Sequence, residues 1–432
     1  MMDNNGRDHV EHCLPARIQH RFGTSDAAMA LRAYDCAVER LGRHRNGHRR
    51  AASILLEQRA DAAVIAASLL APAYQQGLLS GTEIAQLFGK QIASLVVGAS
   101  TDQVLRQRAK GCRVPDLRRW LASISVDLRT VALQLGVHLA ALEAYADGEK
   151  DQGPDEDAED AARQALELLV PLADRMGMGS LRTRLEDACF RLLQPALHAE
   201  MAKKVEPIRR QDQFCLLLLK DGVERLLAER GFSAAVEGRA KGLYSIYRKM
   251  RRLDISLDEV MDRIGLRIIV PSVGACYGVL DLLHTRFRPI PGAFDDYIGL
   301  PKANGYRSLH TCVYPVPDVS VKPVEFQIRT EEMHREAEYG VAAHWLYKDV
   351  EEAEGENRRQ LKWLRGLLPE GDAPIDHAAF VRHLHRHVYG DRLTIRGHDG
   401  EPPRLPDLAC GDRHLPWCTA RLSSPQPVIT SY

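Results

Sequence analysis

Residues 324–329 read Val324-Glu-Phe-Gln-Ile-Arg329, a strict alternation of apolar and polar side chains. A period of two belongs to a strand with one face on a core. Val324, Phe326 and Ile328 are therefore expected on one face and Glu325, Gln327 and Arg329 on the other, with Glu325 facing a polar cleft. Upstream, Leu266-Arg-Ile-Ile-Val270 is a short β-branched run, and Ser308 to Tyr314 is also strand-like. Helical stretches lie between these runs, so the chain after Gly231 is expected to form a mixed α/β domain.

The pattern before Gly231 differs. From about Asp26 to Ala146 apolar residues recur at spacings of three and four, as in Ile54, Leu55, Ala62, Ile65 and Leu69, which predicts helix throughout. Residues 147–160, DGEKDQGPDEDAED, hold eight acids and one lysine and read as a solvated loop. Helical pattern returns from Ala161 to about Glu229. The fold class is thus α+β. A polar segment (1–25) precedes an all-helical domain (26–194), a mixed domain (195–350), a helical linker (351–387) and a Pro-rich, weakly patterned end (388–432).

Composition excludes several functions. The 432 residues carry 58 basic and 58 acidic side chains, so the chain is no polycation for wrapping nucleic acid, and no direct DNA binding is expected. Any anion site must be local. The charge-free stretch Ala62 to Thr82 is interrupted by Pro72, Gln75, Gln76, Gly77 and Gly81, which suits a buried helix and turn rather than a membrane span. Nine cysteines without a C-x-x-C pair argue against a disulfide framework and a structural zinc. With a polar, acid-bearing N-terminus, this predicts a cytoplasmic location. His377, His383, His385 and His387 are read as exposed rather than as metal ligands.

Local anion chemistry is concentrated in Gly238-Arg-Ala-Lys-Gly-Leu-Tyr-Ser-Ile-Tyr-Arg-Lys-Met-Arg-Arg252, with six positive charges and no negative one. If Leu243, Ile246, Met250 and Leu253 form a buried stripe, Ser245, Arg248, Lys249 and Arg252 project elsewhere. Arg239 and Lys241 then sit at the helix N-terminus, where the dipole favours phosphate. Alone, such a run also fits a solvated face. Asp262 before one strand and Glu325 on another form a pair suited to Mg²⁺, which takes one or two carboxylates and leaves other positions to phosphate and water. Either acid alone also fits an ordinary surface position. In Asp295-Asp-Tyr-Ile-Gly-Leu-Pro-Lys-Ala-Asn-Gly-Tyr-Arg-Ser-Leu-His310, Asn304-Gly305 forces a turn. Lys302, Asn304, Tyr306 and His310 can then converge on a nucleotide, or the segment is a plain hairpin with Tyr306 half buried.

GRAKGLYSIYRKM, the stretch Asp262 to Arg267, DYIGLPKANGYRSLHT and VEFQIRTEEMHREAEYGVAAHW, in that order, resemble the synthetase domain of the RelA/SpoT homologue family. Its members are GTP pyrophosphokinases that make (p)ppGpp. The resemblance covers about Glu237 to Lys348. It implies a nucleotidyltransferase-like domain in which Arg239, Lys241, Ser245 and Lys249 contact ATP, and Asp262 and Glu325 hold Mg²⁺. Glu325 further activates the attacking hydroxyl. Lys302, Asn304, Tyr306, His310 and Gln327 meet GDP or GTP, with Tyr306 stacked on guanine. Asp295 resembles the synthetase-only class, while Ala293 lacks the first acid usual there.

The same resemblance makes the helical half an HD-type hydrolase fold. Where a His-Asp pair belongs, Ala71-Pro72 follows Ala67-Ser-Leu-Leu70, and Val137 replaces a later aspartate. None of these side chains offers a metal a lone pair, so a pseudo-hydrolase is expected. Residues 388–408 look like the degraded start of a TGS domain, so ribosome control is not carried over. The alternative to a pyrophosphokinase is a catalytically silent nucleotide-binding regulatory protein. A bifunctional enzyme would require the missing hydrolase donors.

Overall fold

The computed structural model describes residues 14–42, 47–100, 115–148, 155–260, 263–302, 304–317, 319–340, 350–367 and 377–389. They fall into two compact units. One gathers the chain up to Glu200, the short stretch ending at Tyr306, and the residues from His334 onward; the other gathers Met201–Lys302 and Arg307–Met333.

The first unit is helical, as the spacing of its apolar residues predicts. Ala62–Gln75 is buried along most of its length, and Asp61 caps it by accepting the Val64 N–H at 2.8 Å. Ser80 and Glu83 close a capping box on Gly81–Phe88. Gly47–Glu57 and Leu128–Ala146 approach so closely at Gly136 that a Cβ there would lie 2.7 Å from the Leu55 side chain. The acidic stretch is not wholly loop, because a helix begins at Asp155. Acids in a helix's first turn are favoured by its dipole, an effect that charge density alone conceals.

Two further helices, Val350–Gly366 and His377–Tyr389, belong to this unit, and Leu364, Leu367, Phe380 and Leu384 enter its apolar core. This corrects the reading of His385. His385 is only 2% exposed, with Nε2 at 2.9 Å from the Glu167 carbonyl. That carbonyl lies in a π-helical turn, Ala165–Leu169. The imidazole supplies a partner where the helical ladder is irregular. His383 and His387 are exposed as expected.

The second unit is built on a five-stranded mixed sheet of order β1-β2-β5-β4-β3. Its strands are β1 (Ala235–Ala240), β2 (Ile264–Val270), β3 (Pro289–Asp296), β4 (Leu309–Val313) and β5 (Val324–Thr330). Only β2 and β5 are parallel. One face, with Leu266, Ile268, Val324, Phe326 and Ile328, packs on Leu216, Leu219 and Val223 of the helix Pro195–Glu229 and on Val279 and Leu283 of Val273–Arg286. Gly238 of β1 faces Leu216 of the long helix, where a Cβ would make only ordinary contact at 3.5 Å. The buried pair Arg263–Asp212, with Nε to Oδ2 at 3.1 Å, ties the entrance of β2 to that helix. No described helix is long and apolar enough to cross a membrane.

His48 gives the helical unit a predictable pH dependence. Burial, aided by the neighbouring Arg49 charge, lowers its pKa from 6.5 to about 4. The unfolded chain therefore binds this proton more readily, and the stability His48 confers is full above 6.5. It is lost as pH falls toward 4, by roughly 3 kcal/mol in all. In urea unfolding between pH 7 and 4, His48→Leu should lose less stability than the parent. Identical pH dependence in the two proteins would refute this linkage.

Candidate functional site

The alternation of β5 divides the sheet into an apolar and a polar face. Across the polar face, Arg239 on β1 stands opposite Gly265 on β2, and Gly265 opposite Glu325 on β5. In the next row Glu237, Arg267, Gln327, His310 and Asp295 lie side by side. Hydrogen bonds join the rows diagonally. Arg239 Nη1 donates to Gln327 Oε1 at 3.2 Å, and Gln327 Nε2 donates to Glu325 Oε2 at 3.2 Å. His310 Nδ1 lies 3.3 Å from the other Glu325 oxygen. Both carboxylate oxygens are thus oriented, while a quarter of the Glu325 side chain stays exposed. Gly265 places no side chain between Arg239 and Glu325, and its own backbone is buried there.

Of the residues expected at the ATP side, Arg239 lies on β1 rather than at a helix N-terminus. AVEGRA has weak strand propensity, and its pairing to β2 overrides that. The basic helix is Leu243–Leu253, capped by Gly242 without a side-chain bond. Ser245 is half buried, and Lys249 is buried, not on the open face expected of it. Leu243, Tyr244, Ile246 and Lys249 form the buried side. Lys241 is half buried beside the cap.

Of the residues expected at the acceptor, Lys302 and His310 meet through a residue that sequence spacing does not reveal. Lys302 Nζ lies 4.4 Å from the centre of the Tyr297 ring, and the His310 ring meets Tyr297 edge to face at 5.3 Å. Asp296 folds the intervening loop by accepting the N–H groups of Ile298 and Gly299 at 2.9 and 2.8 Å. Burial opposes its ionisation, yet these bonds and the Tyr277 hydroxyl hold the Asp296 carboxyl below the usual range. Asn304 and Tyr306 group with the helical unit. There the Asn304 amide donates to the Asp174 carbonyl and its oxygen accepts the Tyr306 N–H, both at 3.2 Å. Gly305, at φ +80°, makes the expected turn. Asp262 lies outside the described residues. Arg267 also escaped notice as a site residue, although it is the one charge in a β-branched run. Its Nη1 donates to Glu237 at 3.2 Å on the polar face.

In the helical unit Ala71 is fully buried within Ala62–Gln75, Pro72 lies inside the same helix, and Val137 packs against both apolar clusters. Among the described residues no group of three or more His, Cys, Asp or Glu gathers to hold a metal.

A sheet with one charged face and a basic helix after its first strand, in a chain that also carries a helical unit, defines a two-part class that the comparisons identify. Residues 238–352 match the region found in RelA/SpoT proteins, and residues 46–179 match the HD domain. The chain belongs to the RelA/SpoT family. It is 33% identical over 359 residues to a GTP pyrophosphokinase of Escherichia coli, covering 80% of this chain and 47% of that protein. To a probable guanosine-3′,5′-bis(diphosphate) 3′-pyrophosphohydrolase of Synechocystis it is 34% identical over 356 residues, covering 81% and 46%. The chain spans about half the length of these curated relatives. Among solved structures it is similar to small alarmone synthetase 1 of Bacillus subtilis bound to its product pppGpp. That match has 28% identity and a TM-score of 0.29, covering 38% of this chain and 93% of that one.

The side-chain-free position at Gly265 is testable. A Cβ there would meet Glu325 Oε2 at 3.7 Å and the backbone of Glu325 at 3.5 Å, ordinary contacts. If a nucleotide lies on this row, Gly265→Ala should leave its binding unchanged, whereas Gly265→Leu, whose side chain must displace Glu325, should weaken binding of an ATP analogue at least ~10-fold, about 1.4 kcal/mol. Titration calorimetry measures both, and unchanged binding by Gly265→Leu would mean that nucleotide does not use this row.

Proposed function

We propose that this chain transfers the β,γ-pyrophosphate of ATP to the 3′-hydroxyl of GTP or GDP, making (p)ppGpp and releasing AMP. The observation that carries this reading is Glu325, oriented by Gln327 and His310 in one hydrogen-bonded row with Arg239. A binder of polyanions has no use for a carboxylate there, because it repels phosphate. A phosphoryl-transfer site needs one to take a proton. The acceptor 3′-hydroxyl gives its proton to Glu325 as its oxygen bonds the β-phosphorus. The bond from that phosphorus to the oxygen bridging to the α-phosphate breaks, and its electron pair leaves on AMP.

The remaining roles follow from chemistry. Arg239, Lys241, Ser245 and Lys249 hold the ATP phosphates. Lys302 and His310 meet acceptor phosphates, Tyr306 stacks on guanine beside Asn304, and Gln327 keeps Glu325 turned toward the acceptor. Mg²⁺ suits this donor set, because Glu325 offers hard oxygen beside the side-chain-free Gly265, and Asp262 precedes β2 in sequence. When bound, the metal neutralises phosphate charge. Alignment of two polyanions by the fixed cations supplies most of the rate.

The hydrolytic half-reaction is absent in this reading, since Ala71, Pro72 and Val137 stand where metal donors belong. Cytoplasmic placement follows from the ATP and guanine nucleotide it consumes. The relatives' names include both a synthetase and a hydrolase, so direction is read from this chain's residues, not from the names.

With labelled ATP, Mg²⁺ and GDP or GTP, the parent should form ppGpp or pppGpp, and Glu325→Gln should be slower by ~10²-fold or more. Equal rates would remove Glu325 from the mechanism. No product despite intact nucleotide binding would make the chain a silent nucleotide-binding protein. Supplied with ppGpp and Mn²⁺, the parent should release no pyrophosphate. Release would show a working hydrolase centre.

A further inference from the structure

Tyr297 is only 8% exposed, yet it is not part of the apolar cluster under the sheet. Its place follows from alternation. Its N–H donates to the Ser308 carbonyl at 3.0 Å, extending the β3–β4 ladder by one residue, so its side chain shares the polar face with Asp295 and His310. There the ring contacts two basic groups, the His310 ring at its edge and the Lys302 ammonium over its face. The loop from Ile298 to Lys302 is bent back by the Asp296 turn, with Leu300 N–H donating to the Asp296 carbonyl at 3.2 Å. That fold brings Lys302 over the residue adjoining the turn.

An aromatic ring does here what a carboxylate cannot. Its π-face attracts an ammonium without neutralising it, and its edge fixes the plane of an imidazole. We propose that Tyr297 is a positioning residue. It places the Lys302 ammonium over its ring, where an acceptor phosphate can meet it, and it sets the His310 ring so that Nδ1 meets Glu325. The proposal rests on the pyrophosphotransferase reading for its acceptor, and its structural half stands apart from that reading. Tyr297 touches no reacting atom; it acts through Lys302 and His310.

The test compares Tyr297→Phe, which keeps the ring, with Tyr297→Leu, which keeps apolar bulk only, in the full chain. Tyr297→Phe should match the parent within about threefold. Tyr297→Leu should raise the KM for GDP ~10-fold or more while leaving the KM for ATP unchanged, a split that a general loss of folding does not produce. The His310 ring-proton resonance, identified by its loss in His310→Gln, should be shifted by the ring current in the parent and in Tyr297→Phe. It should move toward the random-coil position in Tyr297→Leu. Equal changes in both KM values, or a His310 resonance indifferent to loss of the ring, would overturn the proposal. Should Tyr297→Leu fail to fold, the parent spectrum decides, since an unshifted His310 resonance there contradicts the contact. If the parent makes no product, the function reading fails separately, and the resonance together with GDP affinity by calorimetry still decides the role of Tyr297.

Discussion

The parallel register of β2 and β5 is the constraint on which the site depends. A one-residue slip would turn Glu325 into the core and Phe326 into the cleft, destroying core and site together. Register is held by the apolar side, where Ile264, Leu266 and Ile268 meet Val324, Phe326 and Ile328. It is held again at the entrance of β2 by the buried Arg263–Asp212 pair. A buried ion pair adds little net stability but strongly penalises arrangements that separate it. The chemistry of the polar face is thus aligned by packing on the opposite one.

The helical unit matches an HD domain, and among the described residues no group of three or more His, Cys, Asp or Glu gathers to hold a metal. Ala71 lies in one apolar cluster of the unit and Val137 packs against both, while Trp120 of the other cluster donates to Gln134 at 2.7 Å. Two C-terminal helices add to the core, and His385 closes on the π-turn carbonyl of Glu167.

Much of this was legible in the sequence because short-range pattern and tertiary demand agree. VEFQIR alternates and is β5, LRIIV is β-branched and lies in β2, and Ala62–Gln75 is a buried helix. The strands β1 and β3 were not legible, since AVEGRA and PIPGAFDD carry Gly, Pro and charges and become strands only by pairing with β2 and β4. The burial of Lys249 was missed because helical spacing alone puts a charge outside. Tyr297 was missed for a different reason. It lies in the quoted motif, but its contacts with Lys302 and His310 arise from a turn made by Asp296, which spacing does not reveal.

In the proposed reaction one charged sheet face moves a pyrophosphate as a unit. Phosphorus NMR of the full chain with ATP, GDP and Mg²⁺ tests it directly. The account predicts AMP and a guanosine 3′-diphosphate signal growing in equal amounts as ATP is consumed. ADP with inorganic phosphate, or AMP without the 3′-diphosphate, would contradict it.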